Sequence, residues 1–106
     1  MLVRSLIILL ALCSVAASAA VRDRVQAYRE SASHADREGV FAATDDRRGA
    51  ALAIAVVDFE AERYESAIEI LGRAGGTEGP LADYASYYLD RSLARAERFR
   101  METEDV

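Results

Sequence analysis

Apolar positions along the chain change period from segment to segment. The first stretch has no period at all. Leu6-Ile7-Ile8-Leu9-Leu10-Ala11-Leu12 follows a short start that carries Arg4, and Ala17-Ser18-Ala19 closes the run with small residues. A basic start, an apolar run and small residues at the −3 and −1 sites make up an export signal, so cleavage is expected after Ala19. The stretch from Leu6 to Ala20 is shorter than the ~20 residues of a spanning helix, and it decays into Ala and Ser. Membrane attachment is expected only through an uncleaved signal. Helical spacing then begins: Val21, Val25, Tyr28 and Ala32 recur every three or four residues with Arg and Glu between them, which predicts a helix over 20–33. The pattern breaks between Ser33 and Asp46, where His34, Gly39 and Thr44-Asp45-Asp46 interrupt Val40-Phe41-Ala42-Ala43. That segment reads as a loop, with Thr44 or Asp45 as N-cap of the helix that follows.

The strongest periodicity lies between Arg47 and Leu71. Leu52, Ala55, Val56 and Phe59 share one face of a helix over 47–62, and Tyr64, Ala67, Ile68 and Leu71 share a face of the next, which ends at Gly72-Arg73-Ala74-Gly75-Gly76. Glu62-Arg63 leaves room only for a tight turn, so the two helices are expected to be antiparallel neighbours. Ala51, Ala55, Ala67 and Ala74 would let their axes approach, and Phe59 and Tyr64 would wedge the turn. After the loop Thr77-Glu78-Gly79-Pro80, Pro80 sits where it can open a helix over 81–99. Its expected buried face is Leu81, Ala85, Tyr88, Leu89, Ser92, Leu93, Ala96 and Phe99. The organisation expected is a signal peptide over 1–19, an N-terminal helix and loop over 20–46, and a helical repeat segment over 47–106.

Composition supports helices throughout. Residues 20–106 hold 40 apolar residues, 17 of them Ala, with one Pro and few β-branched residues, a mixture that suits closely packed helices and argues against a sheet. Every positive side chain apart from His34 is an Arg, and the formal charge of the whole chain is −5. Removal of residues 1–19 takes one Arg and no acid, leaving −6. An acidic domain repels nucleic acid and anionic lipid, so neither is expected as a partner. Cys13 could mark a lipoprotein, but Leu10-Ala11-Leu12 before it places a bulky residue where a small one is needed. Without Cys13 the exported chain has no thiol, which excludes a disulfide framework, thiol catalysis and a Cys-based zinc site.

The run from Ala55 through Phe59, Tyr64, Ala67, Ile68, Leu71 and Ala74 resembles a tetratricopeptide repeat: a small residue in helix A, an aromatic near its end, a Tyr at the turn, then Ala, a large apolar residue and Ala in helix B. Glu62 stands where the repeat usually carries Gly, and the Pro expected after helix B is displaced to Pro80. With Gly79-Pro80-Leu81-Ala82-Asp83-Tyr84-Ala85-Ser86-Tyr87-Tyr88-Leu89, the segment over 47–99 is also similar to the N-terminal superhelical region of bacterial soluble lytic murein transglycosylases. The resemblance implies an all-α, antiparallel helical hairpin repeat in a periplasmic, cell-envelope setting, with any catalytic domain of that family lying downstream. One hairpin followed by an unpaired helix reads as an incomplete solenoid, since such repeats complete their core by stacking. The chain is accordingly expected to be the N-terminal part of a longer repeat protein or a truncated product.

Candidate chemistry is sparse. Glu65-Ser66 is the pair in which transglycosylases place their acid, but both residues are expected on the exposed face of helix B, whereas such an acid needs an apolar cleft that raises its pKa. Glu62, Glu65 and Glu69 share a face without the His or Cys partners of a transition-metal site and read as solvated, as does His34. Exposed Glu69–Arg73 and Glu60–Arg63 pairs would add only ~0.2–0.5 kcal/mol each. Gly75-Gly76 ends a helix and is not followed by the Lys-Ser/Thr of a phosphate cradle. No catalytic residue, metal or cofactor is expected. Tyr84, Tyr87, Arg91, Arg95 and Arg98 form a stripe at spacings of three, four, four and three, whose rings could stack on sugars and whose guanidiniums could pair with carboxylates. These residues are the candidate contact for a protein or peptide partner, or for peptidoglycan. The function expected is an exported, periplasmic or secreted, non-catalytic interaction or scaffold module holding a partner segment on its helix-A surface. The alternative is the N-terminal segment of a lytic transglycosylase. Self-association that covers the last helix is a further option.

Overall fold

The computed structural model describes residues 19–73 and 79–104. Nearly all of the segment expected as an export signal, with Cys13, and the segment Ala74-Gly75-Gly76 lie outside them. The described chain is all-α, with no strand. Helix α1 covers 19–31, followed by α2 (His34–Ala42), α3 (Arg47–Glu60), α4 (Tyr64–Arg73) and α5 (Ala82–Glu104). Two compact units divide the chain, Met1–Asp45 and Asp46–Val106.

In the first unit, α1 buries Tyr28 and half-buries Val21 and Val25. Ala32, expected on the same face, instead ends the helix: it adopts a left-handed φ of 53°, and its amide donates to the Tyr28 carbonyl at 2.8 Å. The segment expected as a loop over 33–46 contains α2. Its weak apolar pattern hid it, but a cap makes it a helix. The Asp36 amide donates to Ser33 Oγ at 3.1 Å, and Ser33 Oγ donates back to the Asp36 carboxylate at 3.1 Å. The Ser31 hydroxyl also donates to that carboxylate; with Ser33 second, these bonds hold the Asp36 carboxyl below its ordinary pKa. Val40 is the buried residue of α2. His34 is its exposed first residue, with Nε2 3.9 Å from Glu38 Oε1.

In the second unit, the N-cap of α3 is Asp46, not Thr44 or Asp45: its Oδ1 accepts from the Gly49 amide at 2.9 Å. The inward face of α3 is Ala50, Ala51, Ile54, Ala55, Val57 and Asp58, whereas Leu52, Val56 and Phe59 are half-buried. The helix is therefore rotated from the expected Leu52–Ala55–Val56–Phe59 face. On α4, Ala67, Ile70 and Leu71 are buried, while Tyr64 and Ile68 are half-buried. Fully buried Ala51, Ala55 and Ala67 supply small surfaces at which helix axes can approach.

The α3–α4 turn is a Schellman closure. The Arg63 amide donates to the Asp58 carbonyl at 2.7 Å and the Glu62 amide to the Phe59 carbonyl at 3.0 Å, while Glu62 takes the left-handed position with φ 63°. An apolar contact commonly links the residues on either side of such a closure. Here an ion pair takes that place: Arg63 Nε donates to Asp58 Oδ1 at 3.0 Å. Phe59 packs edge-on against Tyr64 at 5.6 Å and against Tyr88 of α5 at 5.5 Å, so one ring joins all three helices. Because a left-handed conformation costs a non-Gly residue about 1–2 kcal/mol, Glu62→Gly is expected to stabilise the protein by about 0.5–1 kcal/mol after the added chain entropy of Gly is subtracted. A higher urea midpoint with an unchanged m-value is the expected result.

Helix α5 follows Gly79, at φ 88°, and Pro80. It buries its small residues Ala85 and Ser92 and half-buries Tyr88, Leu89 and Ala96. Leu81, Leu93 and Phe99, expected in the core, are exposed, Phe99 by 65%. Leu81 precedes the helix and Leu93 falls past the edge of its buried face, whereas Phe99 stands at the open cleft facing the start of α4. The helix also continues past its expected end at Phe99. Arg100 bridges Glu97 at 2.6 Å and Glu104 at 3.5 Å, and Thr103 Oγ donates to the Phe99 carbonyl at 3.1 Å, so the last turns hold together without a core. Glu97 is consequently held below the ordinary carboxylate pKa by Arg100.

Candidate functional site

Helix α5 outruns α4 by thirteen residues, about 20 Å at 1.5 Å per residue. The C-terminal part of α5 and the α3–α4 turn enclose an open cleft of 590 Å³. From the turn side come Glu62, Arg63, Tyr64, Glu65 and Ser66; from α5 come Arg95, Ala96, Arg98, Phe99 and Glu102. Since turn residues face the C-terminal half of α5, α4 and α5 run antiparallel and the excess length of α5 projects past the turn.

The structure separates the candidate stripe into two parts. Tyr84, Tyr87, Arg91, Arg95 and Arg98 are all exposed. Tyr87 and Arg91 engage each other: Arg91 Nε donates to Tyr87 Oη at 2.8 Å, and the guanidinium carbon lies 5.1 Å from the ring centroid. The Tyr87 ring also meets Tyr88 edge-on at 5.3 Å, whereas Tyr84 is 65% exposed. Arg95 and Arg98 belong to the cleft. With Glu102, they enter no ion pair among the described residues, in contrast to the Glu97–Arg100–Glu104 ladder beside them.

Behind Arg63 and Ser66 of the cleft lies a buried carboxylate that spacing alone does not reveal. Asp58 is completely buried, yet its carboxylate accepts from Arg63 Nε at 3.0 Å and from Ser66 Oγ at 2.7 Å. Ser66 is thus half-buried and turned toward Asp58, not placed on the exposed face with Glu65. The Glu65-Ser66 pair is split: Ser66 turns inward to Asp58 in the turn, and Glu65 is exposed at the cleft. A polar residue inside an apolar run, Val56-Val57-Asp58-Phe59, was the available signal for this arrangement. Glu62, Glu65 and Glu69 are exposed, and Glu69 accepts from Arg73 at 3.2 Å. No group of three or more metal-ligating side chains occurs among the described residues, nor does a helix long and apolar enough to cross a membrane.

Comparison with known proteins returns no match to any family model, curated protein or solved structure. The tetratricopeptide and transglycosylase likenesses therefore rest on the sequence motifs alone.

Proposed function

We propose that this chain is a non-catalytic helical interaction module of the bacterial cell envelope, reached through its N-terminal export signal, and that α5 presents the docking face for a protein or peptide partner. The observation that carries the reading is the projection of α5 beyond the hairpin. Phe99 is 65% exposed there, beside a cleft whose Arg95, Arg98 and Glu102 have no intrachain ion-pair partners among the described residues. Aromatic side chains and Arg are residue types enriched at protein interfaces. The hairpin behind the site holds it by buried Asp58 and the Phe59 ring cluster. Peptidoglycan remains chemically compatible with Tyr84 and the arginines, but the cleft itself is lined by apolar Ala96 and Phe99, which suit a helix or an extended peptide better than a glycan.

The test is a photo-crosslinker placed at Arg98 in the full chain within an extract of the source cells, with a second placed at exposed Glu38 as control. A discrete protein adduct at the first position, absent at the second and lost on Phe99→Asp, is expected. No adduct above the Glu38 control would count against the docking face.

A further inference from the structure

Resting on the reading of α5 as a docking face, we infer that the partner is a second copy of this chain, paired antiparallel along the projecting part of α5. The argument is charge and shape self-complementarity. The cleft side of α5 presents Arg95, Ala96, Arg98, Phe99 and Glu102. When a second α5 lies antiparallel about a two-fold axis between Arg98 and Phe99, Arg95 comes opposite Glu102 of the second copy, and Glu102 opposite its Arg95. The same register sets each Arg98 against the Phe99 ring of the other copy, where a guanidinium is attracted to an aromatic face. A two-fold interface repeats each such pairing, so one register forms both ion pairs and both Arg–Phe contacts together. A parallel pairing in register would instead oppose Arg95 to Arg95 and Glu102 to Glu102.

The geometry of the hairpin suits this arrangement. Since α4 is ten residues long and α5 twenty-three, the cleft lies where a longer α4 would have continued. A second α5 running antiparallel to the first has the direction of α4 and takes up that line beyond Tyr64 and Glu65. Ala96 is the small residue on this face, and its short side chain permits close approach of the second helix. Neighbouring Glu97, Arg100 and Glu104 satisfy one another along the helix and do not compete for Arg95 or Glu102. Two projections of this length bury less than the ~800 Å² per partner of a standard interface, so the dimer is reversible and its population depends on concentration.

Sedimentation velocity of the purified protein from about 1 to about 500 µM reads this directly. The wild type is expected to move from monomer to dimer mass. Arg95→Glu opposes Glu to Glu102 at both ends, and Glu102→Arg opposes Arg to Arg95; each is expected to weaken dimerisation by about tenfold or more. The double variant R95E/E102R restores opposite charges and is expected to dimerise again. An equimolar mixture of the two single variants is expected to form a heterodimer more tightly than either variant pairs with itself. Both side chains are exposed, so unchanged circular dichroism in each variant separates loss of pairing from loss of fold. A wild type that stays monomeric throughout, single variants that dimerise like it, or a mixture that stays monomeric each overturn the proposal. If the wild type is monomeric while the Arg98 crosslinker still captures a different protein, self-pairing fails and the docking face stands; if the crosslinker captures nothing, both fail.

Discussion

Replacing Asp58 with Ala is expected to cost about 2–3 kcal/mol, a large share of the roughly 3–9 kcal/mol that a helical unit of this size can hold. The carboxylate is fully buried at the end of α3 and ties together Arg63 in the turn and Ser66 in the first turn of α4. Removing it leaves the Arg63 guanidinium without the carboxylate opposite its Nε and takes the acceptor from the Ser66 hydroxyl. An uncompensated charge in a fully buried pair costs about 3–5 kcal/mol. The expected loss is smaller here because the Arg63 side chain is 34% exposed and can turn toward water. Two further variants resolve the parts. Asp58→Asn keeps an acceptor for Ser66 and loses the charge, so it should cost about 1–2 kcal/mol; Ser66→Ala removes one hydrogen bond and should cost about 1 kcal/mol. Because Asp58 and Ser66 share a bond, the double variant should cost less than the two single losses together. Urea denaturation of the four variants provides the measurement, and an Asp58→Ala loss under about 0.5 kcal/mol would show that the buried carboxylate does not hold the turn.

The same residue shows where the sequence could and could not be read. The hairpin was legible because Phe59 and Tyr64 stand on either side of a turn too short for anything but antiparallel helices, and their rings do meet at 5.6 Å. Ala51, Ala55 and Ala67 were legible as close-approach positions because a small residue between large ones has few other uses, and all three are fully buried. Helix α2 was missed because Ala35, Ala42 and Ala43 contribute little to an apolar pattern; its cap, Ser33 with Asp36 three residues later, was the better signal. A charged residue is ordinarily assigned to solvent, so spacing does not show the inward burial of Asp58; pairing with donors such as Arg63 of the turn and Ser66 of α4 makes that burial tolerable. By spacing the candidate stripe on α5 is one surface, yet Tyr87 and Arg91 engage each other while Arg95 and Arg98 join a cleft. Spacing alone places side chains on a face; it does not show where the helix behind that face stops. The brevity of α4 turns the second half of the stripe into a wall.

Ile54→Ala is expected to destabilise the second unit by about 3 kcal/mol, whereas Leu52→Ala should cost about 1 kcal/mol. The contrast tests the rotation of α3. Residues Leu52-Ala53-Ile54-Ala55-Val56-Val57 are apolar without interruption, so their order cannot set which side of the helix faces inward. Leu52 with Val56 and Phe59 makes as regular a face as Ile54 with Val57 and Asp58. The structure chooses the second: Ile54 is fully buried, and Leu52 is only half-buried. The choice agrees with Asp58, whose carboxylate reaches Arg63 and Ser66 and which is buried on the same helix together with Ile54 and Ala55. Most of the other inward residues of α3 are Ala, so Ile54, Val57, Ile70 and Leu71 are the bulky buried side chains of α3 and α4. Truncating one of them removes apolar contact and leaves a cavity that an Ala-rich surrounding has few long side chains to fill. If thermal and urea unfolding give Leu52→Ala the larger loss, α3 faces the other way, and Asp58 cannot be the buried anchor of the turn.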